Sequence, residues 1–400
     1  MTRTILDFHV LQTVPPSCLN RDDTGTPKTG VYGGVRRARV SSQAWKRATR
    51  REFHDLLDPA ELGVRTRRVA ELLAGRIARL DGTIGQAEAW TLAAQTVQLA
   101  TGTKVEVPKR KSKEGKEDKP ETEAAPESKY LLFLSAHQLD GLAEIAVKGY
   151  GAGKDYFKDK ATRELARQLA GGRHSVDIAL FGRMVADGAE INVDAAAQVA
   201  HAISVHRVDN ESDYYTAVDD YKEREDDDAG AGMIGTVEFN SATLYRYAAV
   251  DVDLLRRNLG EGLREDEPVT EPVRRAVEAF TRCFLTSMPT GKINTFANHT
   301  LPDAVLVKVR SSRPISFVGA FEEPCRTDPE VGGYLRQTSR ALASYIPQVE
   351  RAYGVADDTP AWLLRIGGNT EALSGLAEEL PLDELVAAVG SEVVRRQGGA

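Results

Sequence analysis

Residues Ile5 to Gln12 alternate, with Leu6, Phe8 and Val10 on one side and Ile5, Asp7, His9 and Leu11 on the other, which is the period of a strand with one buried face. Directly after it runs VPPSCLNRDDTGTPKTGVYGGVRRARV, so rich in Pro, Gly, Asn and Asp that it reads as a long loop with room for a short hairpin. Long loops inside compact domains usually carry function. Ser41 and Ser42 can then cap a helix whose apolar stripe is Trp45, Ala48, Phe53, Leu56 and Leu57. Strand, loop and amphipathic helix in succession direct attention to this end of the chain.

Helical patterns fill roughly residues 60 to 100 and end at KVEVPKRKSKEGKEDKPETEAAPESK, from Lys104 to Lys129, which has almost no apolar content. Such a segment cannot offset its own ordering entropy, so it is expected to be a mobile excursion. YLLFLSAHQLDGLAEIAV resumes the order, and a helix rich in cations (Lys154, Lys158, Lys160, Arg163, Arg167) leads to a strand expected around Val176 to Leu180. A helix beginning at Asp194 is expected to turn β-branched toward Val205. The stretch RVDNESDYYTAVDDYKEREDDDAGAGMIG reads as an ordered start with a flexible end. Val237 to Tyr247 alternates as a further strand. A helix from Pro272 to Ser287, a strand from Ala304 to Val309 and two C-terminal helices complete the pattern.

With 400 residues, two or three structural units are expected. No run approaches the ~18 apolar residues of a membrane helix. The N-terminal MTRTILDFHV carries Asp7 and His9 where a signal peptide needs an apolar run, so a cytoplasmic location is expected. Cys18, Cys283 and Cys325 have no CxxC spacing and read as buried or incidental thiols. The net charge of −7 argues weakly against a nucleic-acid partner, but it hides an asymmetry. Between Arg21 and Arg51 lie nine basic residues and two acidic ones, about +7 in one segment.

Among groups that could do chemistry, Asp22, Asp23 and His9 could form a metal or acid–base site, although Asp-Asp before Thr-Gly is also an ordinary way to shape a turn. His201 and His206 read as structural histidines on or beside a buried segment. Gly33 and Gly34 are too short a motif for a phosphate cradle and suit a turn or close backbone approach. No nucleophile elbow or Walker motif is present, and no metal or cofactor is expected. The basic loop and helix, interleaved with Asn20, Ser41, Ser42 and Gln43, match what a phosphate–sugar backbone requires; a solvated cationic helix face is the alternative. Few surface aromatics argue against extensive base stacking.

These residues also carry a resemblance. HVLQTVPPSCLNRDDTGTPKTGVYGGVRRARVSSQAWKRATR is similar to the N-terminal signature of the type I-E CRISPR Cascade backbone subunit, the CasC family. VDIALFGRM (Val176 to Met184), AHAISVHRVDNESDYYTAVDD (Ala200 to Asp220) and GTVEFNSATLYRYA (Gly235 to Ala248) continue it in order. The charged insert from Lys104 to Lys129 departs from the family pattern.

The resemblance implies an α+β fold, with an RRM-like (ferredoxin-like) palm, a helical fingers insertion and an extended thumb hairpin. In this numbering the palm would comprise 1–58, 175–205 and 236–400, the fingers 59–174 and the thumb 206–235. It implies a non-catalytic subunit whose copies stack head to tail along CRISPR RNA, with a large subunit, small subunits, a 5-prime-handle-binding subunit, a crRNA endonuclease and target DNA as further partners, and no membrane. Carried over, RNA contacts fall on Asn20, Arg21 and Lys28, and on Ser41, Gln43, Lys46, Arg47 and Arg50. Met184 would wedge beside a displaced nucleotide, although from the sequence alone a buried core Met is the simpler reading. Tyr214, Tyr215 and Thr216 map to the thumb, with core packing as the alternative. Lys154, Lys158, Lys160 and Arg163 would meet target DNA. The rival readings are a type III-like backbone subunit that cleaves target RNA with Asp22 or Asp23, and a nucleic-acid-binding regulator without CRISPR RNA.

Overall fold

The computed structural model describes residues 3–108, 124–153, 155–185, 188–217, 233–260, 267–268, 270–330, 332–355 and 360–398. Strand β1 (Ile5–Ser17) outruns its expected end and passes through Pro15 and Pro16. Prolines cannot donate to a ladder, and the register shifts between Val14 and Ser17. The following loop does contain a hairpin, β2 (Thr29–Tyr32) and β3 (Val35–Val40), with Tyr32 opposite Val35. Gly33 and Gly34 form its two-residue turn at φ 58° and 75°, as a twist-matched hairpin requires. A Cβ on Gly33 would lie 1.7 Å from the Glu322 carbonyl oxygen, so this position serves both the turn and a close backbone approach.

Helix α1 (Ser42–Glu52) is capped by Ser41, whose Oγ accepts the Ala44 N–H at 3.3 Å. Next come β4 (Gly63–Thr66), α2 (Val69–Leu80), α3 (Gln86–Thr101), β5 (Val105–Glu106), β6 (Glu127–Ser128), β7 (Leu132–Ser135), α4 (Ala136–Ala152), α5 (Lys160–Gly171) and α6 (Val176–Phe181). Residues 109–123 of the charged insert lie outside the described residues, but its ends pair as β5 and β6, with Val105 opposite Ser128. The chain continues through β8 (Ala197–Val199), β9 (Ala202–Ser204), β10 (Glu211–Ala217), β11 (Met233–Asp251), α7 (Val252–Leu259), α8 (Glu271–Thr286) and α9 (Ile293–Phe296). It ends with β12 (Ala304–Arg310), α10 (Leu335–Tyr353), β13 (Ala361–Arg365), β14 (Glu378–Glu379) and α11 (Leu382–Gly398).

Two compact units emerge, one of residues 1–53, 198–251 and 277–400, the other of 54–197 and 252–276. The sheet of the first runs in the order β14-β13-β12-β1-β11-β9-β3-β2. Its neighbours are antiparallel except β13 and β14. Within it, β1, α1, β9, β11, α8 and β12 follow one another as βαββαβ with the strand order β12-β1-β11-β9, the connectivity of an RRM-like α+β fold. On one face of β1, Phe8 meets Phe280 and Phe284 of α8 edge-on at 5.5 and 6.1 Å. On the other, Leu11 joins Tyr245, Phe317 and Phe321 with Leu342 and Ile346 of α10. β1 is therefore buried on both faces rather than one. The second unit packs α2 to α5 around Leu73, Ile77, Val97, Leu142 and Ile145.

Two expectations fail. Val176 to Leu180 is helix α6, not a strand; a short apolar run fits a buried helix as well as a buried strand, and here Ser175 and Asp177 start a helix. No helix begins at Asp194. β8 and β9 stand there instead, and β9 bridges β3 and β11, with Ile203 opposite both Arg39 and Tyr245. Sheet pairing on both sides overrides the helix preference of the alanine run. Among the described residues, no helix is long and apolar enough to cross a membrane.

Candidate nucleic-acid interface

The basic loop is built from its own polar groups. The Asn20 side-chain oxygen accepts the Ser41 N–H at 3.0 Å, tying the loop to the start of α1. The Lys28 N–H donates to the Asn20 carbonyl at 2.9 Å, and the Arg39 N–H to the Lys28 carbonyl at 2.9 Å. Asp22 Oδ1 accepts from Thr24 N–H at 3.0 Å, Thr24 Oγ1 at 2.7 Å and Thr26 N–H at 3.0 Å. The Thr24 hydroxyl contributes most to holding the Asp22 carboxyl below the usual carboxylate range. Asp22 is thus a turn-former, as Asp-Asp-Thr-Gly suggested, and Asp23 is exposed. His9 is far from solvent on β1, with Nδ1 2.9 Å from the Tyr245 hydroxyl, and burial pushes its pKa well below the ordinary histidine value.

On this frame Arg21, Gln43, Arg47 and Arg51 are exposed, while Asn20, Lys28, Lys46 and Arg50 are half-buried. Trp45 and Thr49 face inward, so the cations lie off the buried stripe as expected, although Ala48 is only half-buried. Ser41 is buried and caps the helix. Burial draws the Lys46 ammonium below its ordinary value. One member of the basic cluster is not on the surface at all. Arg37 is fully buried and donates to the carbonyls of Tyr32 (3.0 Å), Ser204 (3.1 Å) and Phe321 (2.9 Å), because its place on β3 turns it inward to hold the hairpin down.

His206 is the structural histidine expected. Nε2 accepts the Thr243 N–H at 3.1 Å, Nδ1 donates to the Arg207 carbonyl at 2.8 Å, and the ring stacks on Tyr334 at 3.6 Å. His201 is not buried but exposed, with Nδ1 accepting from Arg39 Nη1 at 3.0 Å.

Sequence reasoning missed Lys292. It has a left-handed backbone (φ 46°) beside Gly291, where a Cβ would come within 2.3 Å of the carbonyl oxygens of Cys18 and Leu19. The bare glycine lets the segment lie directly on the basic loop. Lys292 and Arg21 both act electrostatically on the Cys18 thiol, whose pKa burial raises. Lys292 therefore adds a cation to the loop from about 270 residues away in sequence, and only the Pro-Thr-Gly-Lys turn signal was available to suggest it.

In the second unit, α6 ends at Gly182 (φ 77°), Arg183 turns inward and Met184 is 86% exposed. The simpler reading of Met184 as a core residue is overturned. Arg183 is held by the carbonyls of Ile191 (2.8 Å), Phe133 (3.1 Å) and Ala170 (2.8 Å) and by Gln138 Oε1 (3.1 Å). Lys154 lies outside the described residues. Lys158 is exposed and paired to Asp155 at 3.0 Å, whereas Lys160 and Arg163 are exposed on the first turn of α5.

β10 and β11 form an antiparallel ladder with Tyr214 opposite Thr236 and Tyr215 opposite Gly235. Tyr214, Tyr215 and Thr216 are exposed, so they are not core. The Tyr215 ring lies over Gly235, where a Cβ would sit 2.4 Å from its hydroxyl. Residues 218–232, which include the expected flexible end, lie outside the described residues.

Among curated proteins no sequence matches this chain. Solved structures do match it, among them two surveillance-complex chains. One, described as "CRISPR RNA-guided surveillance complex, pre-nicking", is 34% identical with a TM-score of 0.77, over 96% of this chain and 100% of that one. The other, described as "CRISPR RNA-guided surveillance complex", is 30% identical with a TM-score of 0.66, over 96% and 99% of the two chains. A family model described as "CT1975-like protein" matches residues 6–388, so the chain belongs to the CT1975-like protein family.

Proposed function

We propose that this chain is a subunit of a CRISPR RNA-guided surveillance complex, and within that class a CRISPR RNA-binding backbone subunit of type I-E Cascade. The observation that carries the reading is the cationic loop and helix, locked together through Asn20 and Ser41, in a chain similar over nearly its full length to surveillance-complex chains. Arg21, Lys28, Lys46, Arg47 and Arg50, joined by Lys292, neutralise RNA phosphates, while Gln43 offers a neutral hydrogen-bonding partner. Asn20 and Ser41 set the surface by holding the loop against the helix.

Residues 1–58, 175–205 and 236–400 act as palm, 206–235 as thumb and 59–174 as fingers. Copies stack head to tail, an open heterologous arrangement that naturally makes a filament. Met184 and the thumb residues Tyr214, Tyr215 and Thr216 act at displaced nucleotides, and Lys158, Lys160 and Arg163 face target DNA. Base pairing reads the target sequence while the protein holds the RNA backbone, and the subunit does no bond-breaking itself. The companion subunits are those the resemblance implies.

Co-expression with neighbouring genes and a CRISPR array, followed by sequencing of the bound nucleic acid, tests this. A uniform RNA of spacer with repeat flanks is expected. A nucleic-acid-free monomer purified despite intact partners would overturn it.

A further inference from the structure

Beside the basic loop, the first unit has a cleft of about 340 Å³ toward the β3–β2 end of its sheet. This lies at the small end of the ~300–1,000 Å³ range of small-molecule sites. The hairpin β2–β3, β9 with the two residues before it, β11 and the segment after Ile315 surround it. Its floor and walls are mostly apolar and aromatic, formed by Tyr32, Ile203, Tyr247 and Val318. The rings are fixed: Tyr32 donates to the Val318 carbonyl at 3.3 Å and Tyr247 to Asp7 at 2.8 Å.

Of the polar side chains in the lining, Arg37 is fully buried and bound to backbone carbonyls and Ser316 Oγ accepts the Val318 N–H at 3.4 Å, whereas Arg39 is half-buried and His201 exposed. Arg39 Nε is bound to the Thr29 carbonyl at 3.1 Å and Nη1 to His201 Nδ1 at 3.0 Å, and neither bond uses Nη2. Since Arg39 can only donate, His201 Nδ1 is an acceptor, and the neutral ring carries its proton on Nε2. The partial loss of solvent around the ring, followed by the nearby charges of Arg39 and Lys28, keeps this imidazole below its ordinary pKa. The cleft thus joins a largely apolar, aromatic lining to N–H donors of Arg39 and His201. That is the chemistry of one nucleotide, with a base against the rings and a phosphate at the donors.

We propose that this cleft is a binding site for a single unpaired nucleotide, with its base against Tyr32, Tyr247 and Val318 and its phosphate on Arg39 and His201. The assignment rests on the RNA-binding reading for its occupant, a nucleotide of the bound RNA. A free nucleoside monophosphate shares the chemistry.

The test uses the full-length chain in its RNA-loaded complex, with 4-thiouridine placed at single positions of the RNA, and maps the crosslinked peptides by mass spectrometry. Crosslinks to peptides bearing Tyr247 or Val318 are expected from some positions. His201→Ala and, separately, Val318→Trp should abolish them while RNA stays bound and the thermal midpoint holds. RNA retained with no crosslink to these peptides would overturn the cleft and leave the RNA-binding reading standing. If no RNA is retained, that reading fails, and adenosine 5′-monophosphate titrated into the free chain decides the cleft. Binding weakened about tenfold by His201→Ala would support a free-nucleotide site, and no binding up to about 10 mM would overturn it.

Discussion

Arg183 and Met184 are adjacent in sequence and opposite in burial: Arg183 is 5% exposed with its guanidinium bound by four oxygens, and the methionine beside it is 86% exposed. An apolar side chain this open gains nothing from the fold that presents it. The buried cation next to it, with its pKa lowered to about 10 by burial, is held by carbonyl and amide oxygens rather than by a carboxylate, and it fixes the backbone from which Met184 projects. At one peptide bond the chain passes from a buried anchor to an exposed side chain.

Met184→Ala is therefore expected to leave stability within ~0.5 kcal/mol, as for other exposed sites. In the assembled complex it should alter target-DNA pairing, measured as binding of matched DNA. Arg183→Met should instead cost about 3 kcal/mol or more, because several buried oxygens lose their donor together. Urea unfolding of the two variants separates these effects; equal destabilisation by both would refute the division.

Next to this anchor, His174 accepts from Gln138 Nε2 at 3.0 Å, and burial, then Arg183, lower its pKa to about 4. Its unfolded value is near 6.5. The folded chain keeps the ring neutral while the unfolded chain takes up a proton, so stability is fully present above about pH 6.5 and is lost as pH falls toward 4. The loss amounts to roughly 3 kcal/mol. Urea midpoints measured at about pH 7 and about pH 4.5 should converge in His174→Leu relative to the parent chain. An unchanged pH dependence would show that the ring is protonated in the fold.

Gly33 carries a third prediction. Its φ of 58° and the 1.7 Å that would separate an added Cβ from the Glu322 oxygen leave no room for a side chain. Gly33→Ala should destabilise by at least about 2 kcal/mol. Gly34→Ala, at φ 75° with no atom within 4 Å, should cost less, about 1 kcal/mol. Thermal unfolding of the pair distinguishes the close approach from the turn.

The other face of β1 holds a buried ion network. Asp7 is bound to Arg310, Tyr247 and the Ile315 N–H, and Arg310 and Lys308 both reach Glu350, the latter at 2.7 Å. Asp7→Ala leaves a buried cation short of a partner and should cost about 3–5 kcal/mol. Asp7→Leu combined with Arg310→Met should cost less than Asp7→Ala alone, a comparison that equilibrium unfolding makes directly.

What the sequence made legible was local. The alternation in β1 and β11, the Ser41 cap, the Gly-Gly turn and the helix α8 were all readable because each depends on neighbouring residues. Pairing between distant segments was not. β9 lost its helix to partners on β3 and β11, and α6 looked like a strand because a short buried run fits either period. Charge counting found the basic surface but could not see that Arg37 faces inward or that Lys292 arrives from the far side of the chain. Met184 could not be placed from its type, since nothing local announces a buried arginine turning its neighbour outward.

The central claim is that RNA is held through its backbone by the loop and first helix. The most direct test is the affinity of Lys46→Ala/Arg50→Ala for several CRISPR RNAs of different spacer sequence across a range of salt. The account predicts the same loss for every spacer and a salt dependence flatter by about 0.7 log units per phosphate contact removed. A loss that varies with spacer sequence, or an unchanged salt slope, would contradict it.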